Sequence, residues 1–351
     1  MKKFKVDPSN SFIRQAVKAL GEGSIVAFPT ETVYGLGCWT DNEDSVNRLY
    51  AIKRRPKDKP FSIALASIDR AVDDYFADMP PFGYRLMEEF WPGPLTIVYY
   101  NKSDKKIGIR VPANTIAQSI LQNFNRAVYL PSANISGQKE AISADEVEKI
   151  FNEDIDLIID GGECNDIKPS TVIDLIQKPF KVLRKGTISD EDIMAVFLKK
   201  RIIFVCTGNS CRSPMAQLLL EKYLFSERAD LKKKFQILSA GISAVDGFKP
   251  TKEVIEILGN KEDINATSFR SRRLTRRLVL SSDIIITMED RQSDYIIDFV
   301  PSSAGKVFNL KKFLPPELKQ DIPDPIGMTS IFYNNVYDLL KKGILKLKDW
   351  L

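Results

Sequence analysis

The sequence contains no histidine and only four cysteines in 351 residues. Histidine is the commonest general base and the commonest zinc ligand, so its absence excludes serine-histidine triads and zinc-hydrolase chemistry. Four cysteines, two of them nearly adjacent, fit a reducing compartment with reactive thiols better than a disulfide framework. We therefore expect a cytosolic protein.

Long apolar runs are also missing. The amino terminus is basic, but Asp7 and Pro8 come before any apolar stretch long enough for a signal peptide. No uncharged run of membrane-spanning length follows, so we expect no membrane association. The formal charge of +5 is modest for this length. It is compatible with anionic substrates and does not require DNA or RNA as a partner.

The length and the apolar content of 44% predict two domains. No repeat, low-complexity tract or flexible linker marks the boundary, so it is taken from the order of elements. Helical patterns cover 11–20 and 43–53, between short runs typical of strands. Those runs are 24–28, 95–100, 127–130, 155–159 and 171–176. We predict domains 1–195 and 196–351, with a helix beginning at Ser189–Asp192 across the boundary.

Strands and helices alternate in the second half. Strands are predicted at 201–205, 235–239 and 283–287, and helices at 214–226, 249–258, 272–279 and 328–342. This alternation is typical of a small doubly wound parallel sheet. The fold class predicted for the whole chain is therefore α/β in both halves.

The loop after strand 201–205 reads Cys206-Thr-Gly-Asn-Ser-Cys-Arg-Ser213, with Pro214 where a helix should begin. A loop between a strand and a helix amino terminus presents backbone N–H groups to an anion, so we interpret it as a phosphate cradle. Gly208 can adopt the positive φ that such a turn needs. Cys206 is the expected thiolate nucleophile, Arg212 the clamp on phosphoryl oxygens, and the Ser213 hydroxyl a support for the thiolate.

These residues closely resemble the low-molecular-weight phosphatase family, whose loop reads Cys-x4-Cys-Arg-Ser. The resemblance covers about residues 200–345 and includes Ser239-Ala-Gly241, Lys306–Lys311 and Asp324-Pro325. It implies that Asp324 is the general acid and that Cys211 is the second loop cysteine, able to form a reversible disulfide with Cys206. The phosphate loop would consist of Thr207, Gly208, Asn209, Ser210 and Cys211.

Three chemistries of this family remain open. Arsenate reductases of this fold share the loop wording, but no cysteine follows Cys211 to act as a relay. Tyrosine phosphatases usually carry Ile or Leu in place of Ser210 and an aromatic residue in place of Ile326. The protein-arginine phosphatase branch typically has Thr at the Ser210 position, and 306–313 and 324–338 resemble that branch too. This favours phosphoarginine over phosphotyrosine, although Ile326 departs from both patterns.

The first half carries several blocks of hydroxyl, glycine and basic residues beside its strands. The Pro29–Gly37 block, PTETVYGLG, follows strand 24–28 and is predicted to turn sharply at Gly35 and Gly37. Positive charge is concentrated in 53–59, at a helix end. The remaining blocks are WPGPLT from residue 91, GIRVP from 108, PSANISG from 131, PSTVID from 169 and RKG from 184.

In this order the blocks closely resemble the YrdC-like threonylcarbamoyl-AMP synthase family over residues 10–190, which implies a twisted mixed α/β sheet. The family joins threonine, bicarbonate and ATP into threonylcarbamoyl-adenylate and pyrophosphate, for later transfer to tRNA adenosine. The resemblance implies that Mg²⁺ accompanies ATP and that the protein itself holds no metal. Implied ATP contacts are Lys53, Arg55, Lys57, Ser132, Asn134, Ser143 and Arg184. Implied threonine contacts are Thr30, Arg110 and Ser170.

Together, the two resemblances predict a bifunctional enzyme: an adenylate-forming synthase fused to a cysteine-dependent protein phosphatase. A phosphorylated protein and a downstream tRNA-modifying transferase complex are the expected partners. The alternative is an RNA-binding first half without catalysis, fused to a tyrosine phosphatase or an arsenate reductase-like domain. The basic run 269–277 could serve RNA binding, but a solvated basic helix face is the favoured interpretation.

Overall fold

The computed structural model describes residues 1–164, 168–226 and 228–351. It separates into two compact units, one of Met1–Met79 with Arg85–Met194 and one of Pro80–Tyr84 with Ala195–Leu351. Within the described ranges, no helix is long and apolar enough to cross a membrane.

Ten strands of the first unit form one mixed sheet in the order β1-β8-β2-β3-β7-β4-β6-β5-β9-β10. The strands are β1 (Lys2–Lys5), β2 (Val26–Pro29), β3 (Tyr34–Trp39), β4 (Ile63–Ala64), β5 (Leu95–Tyr100), β6 (Lys106–Arg110), β7 (Val128–Tyr129), β8 (Leu157–Asp160), β9 (Thr171–Asp174) and β10 (Lys181–Arg184). β8 pairs in parallel with β1 and β2, and β5 with β9, whereas β2–β3 and β5–β6 are antiparallel. The predicted mixed α/β sheet is confirmed.

Seven α-helices precede the second sheet in the described part of the chain. They are α1 (Ser11–Gly21), α2 (Glu43–Ile52), α3 (Ile68–Arg70), α4 (Pro81–Phe90), α5 (Thr115–Phe124), α6 (Ala144–Phe151) and α7 (Asp190–Leu198). α1 and α5 pack with β2 and β8 in one apolar cluster, and α2 and α6 contribute to another. Asn42 caps α2 by accepting a hydrogen bond from the Ser45 N–H, which satisfies a donor that the helix leaves free.

The sharp turn predicted at Gly35 and Gly37 is wrong. Both lie inside β3, which pairs antiparallel with β2, and the chain reverses earlier, between Thr30 and Val33. Glycine is required here by close packing. A Cβ at Gly35 would lie 2.6 Å from the Leu130 side chain, and one at Gly37 would lie 2.6 Å from Phe28.

The second unit holds a four-stranded, all-parallel sheet in the order β12-β11-β13-β14. The strands are β11 (Lys200–Cys206), β12 (Phe235–Gly241), β13 (Ile284–Thr287) and β14 (Val307–Asn309). The helices are α8 (Arg212–Phe225), α9 (Lys252–Glu262), α10 (Arg276–Ser281), α11 (Asp290–Phe299) and α12 (Ser330–Trp350). The predicted doubly wound parallel sheet is confirmed. Its strand order changes direction at β11, so the crevice at the carboxyl end of β11 is the expected ligand site.

The helix predicted at 272–279 begins later, at Arg276, where Thr275 caps it by accepting from the Leu278 N–H. Residues 269–275 are not helical, so the predicted basic helix face over 269–277 is wrong. Instead the chain is held by β12: Gly241 donates to the Arg272 carbonyl at 2.9 Å and accepts from the Leu274 N–H at 2.9 Å. Pairing with the end of β12 competes with helix formation in this segment.

Candidate active sites

The first site is a cavity of about 680 Å³ in the first unit. Its walls come from the turn after β2, the end of α2, strands β4, β5 and β6, and the segments that follow β7 and precede β9. Eight of the residues singled out in the sequence line it: Thr30, Lys53, Arg55, Arg110, Ser132, Asn134, Ser170 and Arg184. The fold thus gathers residues from distant segments of the chain around one space.

The cavity wall is strongly cationic. Six lysine or arginine residues line it, against a single carboxylate. They are Lys53, Arg55, Lys59, Lys106, Arg110 and Arg184, and the carboxylate is Glu140. Such a wall favours an anionic occupant, because low-dielectric surroundings limit the screening of these charges. Among the described residues no group of three or more acidic or cysteine side chains could hold a metal ion.

Lys53 follows the last turn of α2 and is almost fully buried. Its Nζ donates to the carbonyl oxygens of Ser132 at 2.5 Å and Asn134 at 2.7 Å, and to Asn134 Oδ1 at 3.1 Å. These bonds connect the end of α2 to the segment after β7. Burial, helped by the charge of Arg55, lowers the pKa of Lys53 to about 7. A bound anion would favour the charged amine.

A second corner of the cavity combines a guanidinium with threonine hydroxyls. Arg110 Nη2 donates to Glu31 Oε1 at 2.6 Å and to Thr32 Oγ1 at 3.1 Å. Thr30 Oγ1 donates to the Val33 carbonyl at 2.7 Å, which closes the turn between β2 and β3. The turn therefore fixes the hydroxyls, and Glu31 holds Arg110 beside them.

Ser170 and Arg184 form a third corner. Arg184 Nη2 donates to Ser170 Oγ at 2.9 Å and its Nε to the Ser170 carbonyl at 3.0 Å, while Thr96 Oγ1 lies 3.0 Å from Ser170 Oγ. Burial lowers the pKa of Arg184. Glycine at position 186 allows the backbone after Arg184 to lie close to the Pro169–Ser170 backbone, because a Cβ at Gly186 would lie 2.2 Å from the Pro169 carbonyl oxygen.

Two of the residues implied as ATP contacts do not line the cavity. Lys57 Nζ donates to Asn47 Oδ1 at 2.7 Å on the exposed surface, and Ser143 caps α6 by accepting from the Glu146 N–H at 3.2 Å. Glu140 and Lys106 also line the wall, and neither lies in a sequence block that would select it.

The second site is the loop between β11 and α8. Cys206 ends β11 and Arg212 begins α8, so the loop lies between a strand and a helix as predicted, although the helix begins two residues earlier than the predicted 214. Ser213 Oγ lies 3.0 Å from Cys206 Sγ, and the Asn209 N–H donates to that sulfur at 3.3 Å. The sulfur is therefore held at the centre of the loop by a hydroxyl and a backbone amide.

Asn209 holds the loop in place through hydrogen bonds of its side chain. It is fully buried with φ of 53°, a left-handed conformation that Asn tolerates better than most residues. Its Nδ2 donates to Ser213 Oγ at 2.8 Å and Ser239 Oγ at 3.0 Å, and its Oδ1 accepts from the Arg272 N–H at 2.8 Å. One side chain thus joins the loop to α8, to β12 and to the segment before α10.

Arg212 is buried, with 1% of its side chain exposed. Nη1 donates to the Glu289 carboxylate and, at 2.9 Å, to the Ile322 carbonyl, while Nη2 donates to the Asp324 carboxylate. Nε has no partner among the described residues. A buried N–H without an acceptor costs about 1–3 kcal/mol, so this geometry suits a loop that receives an anion.

Glu289 was not selected from the sequence. It immediately precedes α11 and binds both Arg212 and Arg291. Burial acts to raise its pKa, but hydrogen bonds from the two arginines outweigh burial, and the pKa is lowered. An acidic residue at the carboxyl end of β13 was the available signal, because that edge of a parallel sheet carries ligands.

Cys211 lies under the loop and is buried. Its Sγ is 3.5 Å from Tyr333 Oη and 3.6 Å from Ser210 Oγ. Burial raises the pKa of the Cys211 thiol. Cys206 and Cys211 are both free thiols in this structure. Ser210 is half-buried.

Comparison with known proteins agrees with this division into two sites. Residues 18–186 match the family model for Sua5, YciO and YrdC proteins, described as telomere recombination. Residues 201–351 match the model for low molecular weight phosphotyrosine protein phosphatases.

Curated relatives match the first half. The threonylcarbamoyl-AMP synthase of Pyrococcus abyssi is 40% identical over 208 residues, which cover 56% of this chain and 61% of that enzyme. A Methanocaldococcus jannaschii relative, to which the same activity is provisionally assigned, is 33% identical over 178 residues. That alignment covers 49% of this chain and 84% of the relative. The chain thus matches less than two thirds of the length of the Pyrococcus abyssi enzyme and most of the length of the Methanocaldococcus jannaschii relative.

Among solved structures, Pyrococcus abyssi Sua5 complexed with L-threonine matches with a TM-score of 0.53 at 24% identity, a likeness of fold. The match covers 88% of this chain and 98% of that one. On these findings the chain belongs to the Sua5/YciO/YrdC family through its first half, and its second half matches the model for low molecular weight phosphotyrosine protein phosphatases.

Proposed function

We propose that the first unit makes threonylcarbamoyl-adenylate from threonine, bicarbonate and ATP. The observation that carries this proposal is the cavity lined by six cationic side chains and one carboxylate, with threonine and serine hydroxyls at two of its corners. A triphosphate supplies the anion for such a wall. The Pyrococcus abyssi relative was solved with L-threonine, which supports an amino acid as the other occupant.

In this reaction the carboxylate of N-carboxythreonine attacks the α-phosphorus of ATP, and pyrophosphate leaves. Lys53, Arg55 and Arg184 would stabilise the charge that grows on the triphosphate, and Arg110 would bind the threonine carboxylate beside Thr30 and Ser170. Arg110 must then exchange its bond to Glu31 for one to the substrate. Mg²⁺ would be held mainly by the phosphates, since the cavity offers one carboxylate.

The test of this activity is release of pyrophosphate from ATP by the purified chain. We expect release only when threonine and bicarbonate are both present, and formation of an adenylate detectable by mass spectrometry. ATP turnover that ignores threonine would contradict the proposal. Binding of tRNA without any pyrophosphate release would favour the alternative of a non-catalytic RNA-binding unit.

For the second unit we propose a cysteine phosphatase that acts on phosphorylated proteins. Cys206 Sγ would attack phosphorus while Asp324 donates a proton to the leaving group, which gives a phosphocysteine. Asp324, now a carboxylate, would then take a proton from the water that hydrolyses this intermediate. Arg212 would bind two phosphoryl oxygens in both steps, held by Glu289 and the Ile322 carbonyl.

Phosphoarginine is the favoured substrate of this unit. The support is Ser210, a half-buried small hydroxyl residue at a loop position where tyrosine phosphatases usually carry Ile or Leu. A guanidinium leaving group needs a polar edge, whereas a phenol gains from apolar walls. Side-by-side hydrolysis of phosphoarginine and phosphotyrosine decides between them, and a larger kcat/KM for phosphotyrosine would contradict this choice.

The domain boundary near residue 195, a cytosolic location and a downstream tRNA-modifying transferase complex belong to the same proposal. The adenylate is a reactive mixed anhydride, so an enzyme that consumes it must follow. We expect transfer of the threonylcarbamoyl group to tRNA adenosine when such a transferase is supplied, and no transfer by this chain alone.

A further inference from the structure

The basic run 269–277 has no part in either reaction, yet the structure places its non-helical segment beside the phosphatase loop. The Arg272 N–H donates to Asn209 Oδ1 at 2.8 Å, and the Arg272 carbonyl accepts from Gly241 at the end of β12. Arg273 follows, with its N–H bonded to Asp246 Oδ1 at 2.6 Å. The backbone of both arginines is therefore fixed directly next to the residue that braces the loop.

The side chains of these two arginines remain available. Both residues are exposed, and their side chains have no hydrogen-bond or ion-pair partner among the residues that the structure describes. Arg270, two residues earlier, differs in that its Nη1 donates to the carbonyl oxygens of Thr267 and Phe269. Two adjacent uncommitted guanidinium groups at the rim of an anion-binding loop are suited to further anions.

A second segment bonded to the loop carries an exposed aromatic side chain. Segment 242–251 is joined to the loop by hydrogen bonds from Ser243 to the Thr207 carbonyl at 3.0 Å and from Thr251 to the Ser210 carbonyl at 3.1 Å. Buried Ser271 joins this segment to the arginines, since its Oγ accepts from the Phe248 N–H at 2.9 Å. Phe248 itself is 63% exposed. An exposed aromatic beside two arginines, on a firmly bonded frame, is typical of a binding surface.

We propose that Arg272, Arg273 and Phe248 form a peptide-binding rim that selects phosphorylated polypeptides with acidic residues next to the phosphorylated one. The inference rests on the proposed phosphatase function and adds to it a substrate class. The peptide backbone and an apolar side chain would lie against Phe248, and carboxylates one to three residues from the phosphoryl group would reach the two guanidinium groups. Charge complementarity is what favours an acidic segment as the occupant.

The experiment compares two peptides that carry the same phosphotyrosine, one flanked by Asp and Glu and the other by Asn and Gln. We expect kcat/KM to be about tenfold higher for the acidic peptide in 50 mM salt, and this preference to shrink at 300 mM as charges are screened. Fluorescence anisotropy of the same peptides on the Cys206→Ser chain gives their affinities independently of turnover.

Variants of the two arginines test whether their charges cause the preference for acidic peptides. The double variant Arg272→Glu, Arg273→Glu should lose the acidic preference and prefer a Lys-flanked phosphotyrosine peptide. The matched control is Arg228→Gln, an exposed arginine bonded to Asp230 near the amino-terminal end of β12, which should keep the acidic preference. Phenyl phosphate, which has no flanking residues, reports on the chemistry alone.

Each outcome bears on the rim or on the catalysis separately. Equal affinity of the Cys206→Ser chain, with both arginines in place, for acidic and neutral peptides would overturn the rim. So would an equal loss on peptides and phenyl phosphate in the double variant, because that loss would mean distortion of the loop. Failure to hydrolyse both phenyl phosphate and phosphoarginine would overturn the phosphatase proposal instead, while the anisotropy comparison would still decide whether the rim binds acidic peptides.

Discussion

At the scale of single residues, both sites depend on buried or half-buried charged side chains that are paired with other groups of the protein. Arg212 is held by two carboxylates and a carbonyl, Arg110 by Glu31, and Lys53 by carbonyl oxygens. Such pairs keep a charged side chain oriented where its removal from water would otherwise be costly. Substrate binding then exchanges one partner for another instead of ordering a free side chain.

The two loop cysteines should behave differently. Cys206→Ser should remove phosphatase turnover but leave binding of phosphate or vanadate, because the backbone cradle and Arg212 remain. Cys211→Ser should retain most turnover, since Cys211 is buried under the loop and burial raises its pKa. Burst kinetics with phenyl phosphate and anion titration followed by fluorescence measure both effects. Full turnover in the Cys206→Ser chain would move the nucleophile elsewhere.

Ser210 is expected to select the leaving group. Ser210→Ile should lower kcat/KM for phosphoarginine and raise it for phosphotyrosine, because one group loses a polar partner and the other gains apolar contact. A single contact of this kind changes the ratio of the two kcat/KM values on the order of ten- to a hundredfold. Ser210→Thr, which keeps the hydroxyl, is the control and should hold the original order. An unchanged ratio in the Ile variant would remove the main support for phosphoarginine.

At the scale of elements, helices α8, α9 and α12 are joined through one buried carboxylate. Glu262, in the last turn of α9, accepts hydrogen bonds from Tyr223 at 2.6 Å and Lys222 at 3.0 Å on α8, and from Lys341 at 2.8 Å and Tyr337 on α12. Burial alone would raise its pKa, but these bonds outweigh burial and lower it to about 2. The charged form is therefore part of the packing of three helices.

This cluster gives a pH-dependent stability. The unfolded chain takes up a proton near the ordinary Glu pKa of 4.5, and the folded one only near 2. The stabilisation is therefore complete above about pH 5 and is lost as the pH falls towards 2. Glu262→Gln should cost about 3 kcal/mol at pH 7 and flatten the acid dependence of unfolding. Urea unfolding at several pH values measures this, with Glu256→Gln on the exposed face of α9 as the control.

At the scale of the whole molecule, the two sites lie in separate compact units, each with its own sheet and apolar core. The described residues that line the cavity all belong to the first unit, and those that bond to Cys206 and Arg212 all belong to the second.

The two activities should accordingly be separable by mutation. Lys53→Ala should abolish adenylate formation, because it removes a buried cation and three hydrogen bonds from the cavity wall, and should leave phenyl phosphate hydrolysis unchanged. Lys57→Ala, which alters a lysine outside the cavity, is the control and should retain both activities. If both activities fell together in the Lys53→Ala chain, the sites would not be independent.

The sequence by itself determined the features that depend on local order along the chain. Strand β11, the loop that follows it and the helix that begins at Arg212 are contiguous, so their composition and spacing were sufficient to predict the loop and its nucleophile. The positive φ predicted for Gly208 lies instead at Asn209. The α/β class and the parallel second sheet followed from the alternation of strands and helices. The family resemblances supplied the cavity residues, because their blocks occur in a fixed order.

Only the tertiary structure decided which distant residues meet. Strand β3 was missed because its glycines resemble a turn, whereas they are needed for contact with Leu130 and Phe28, which lie elsewhere in the chain. The pairing of 272–274 with Gly241 replaced a predicted helix and brought Arg272 to the phosphatase loop. Glu140 carries no local pattern that marks it, and Glu289 is marked only by its position after the carboxyl end of β13. Long-range pairing and burial fix these positions, and both depend on contacts that sequence periodicity does not record.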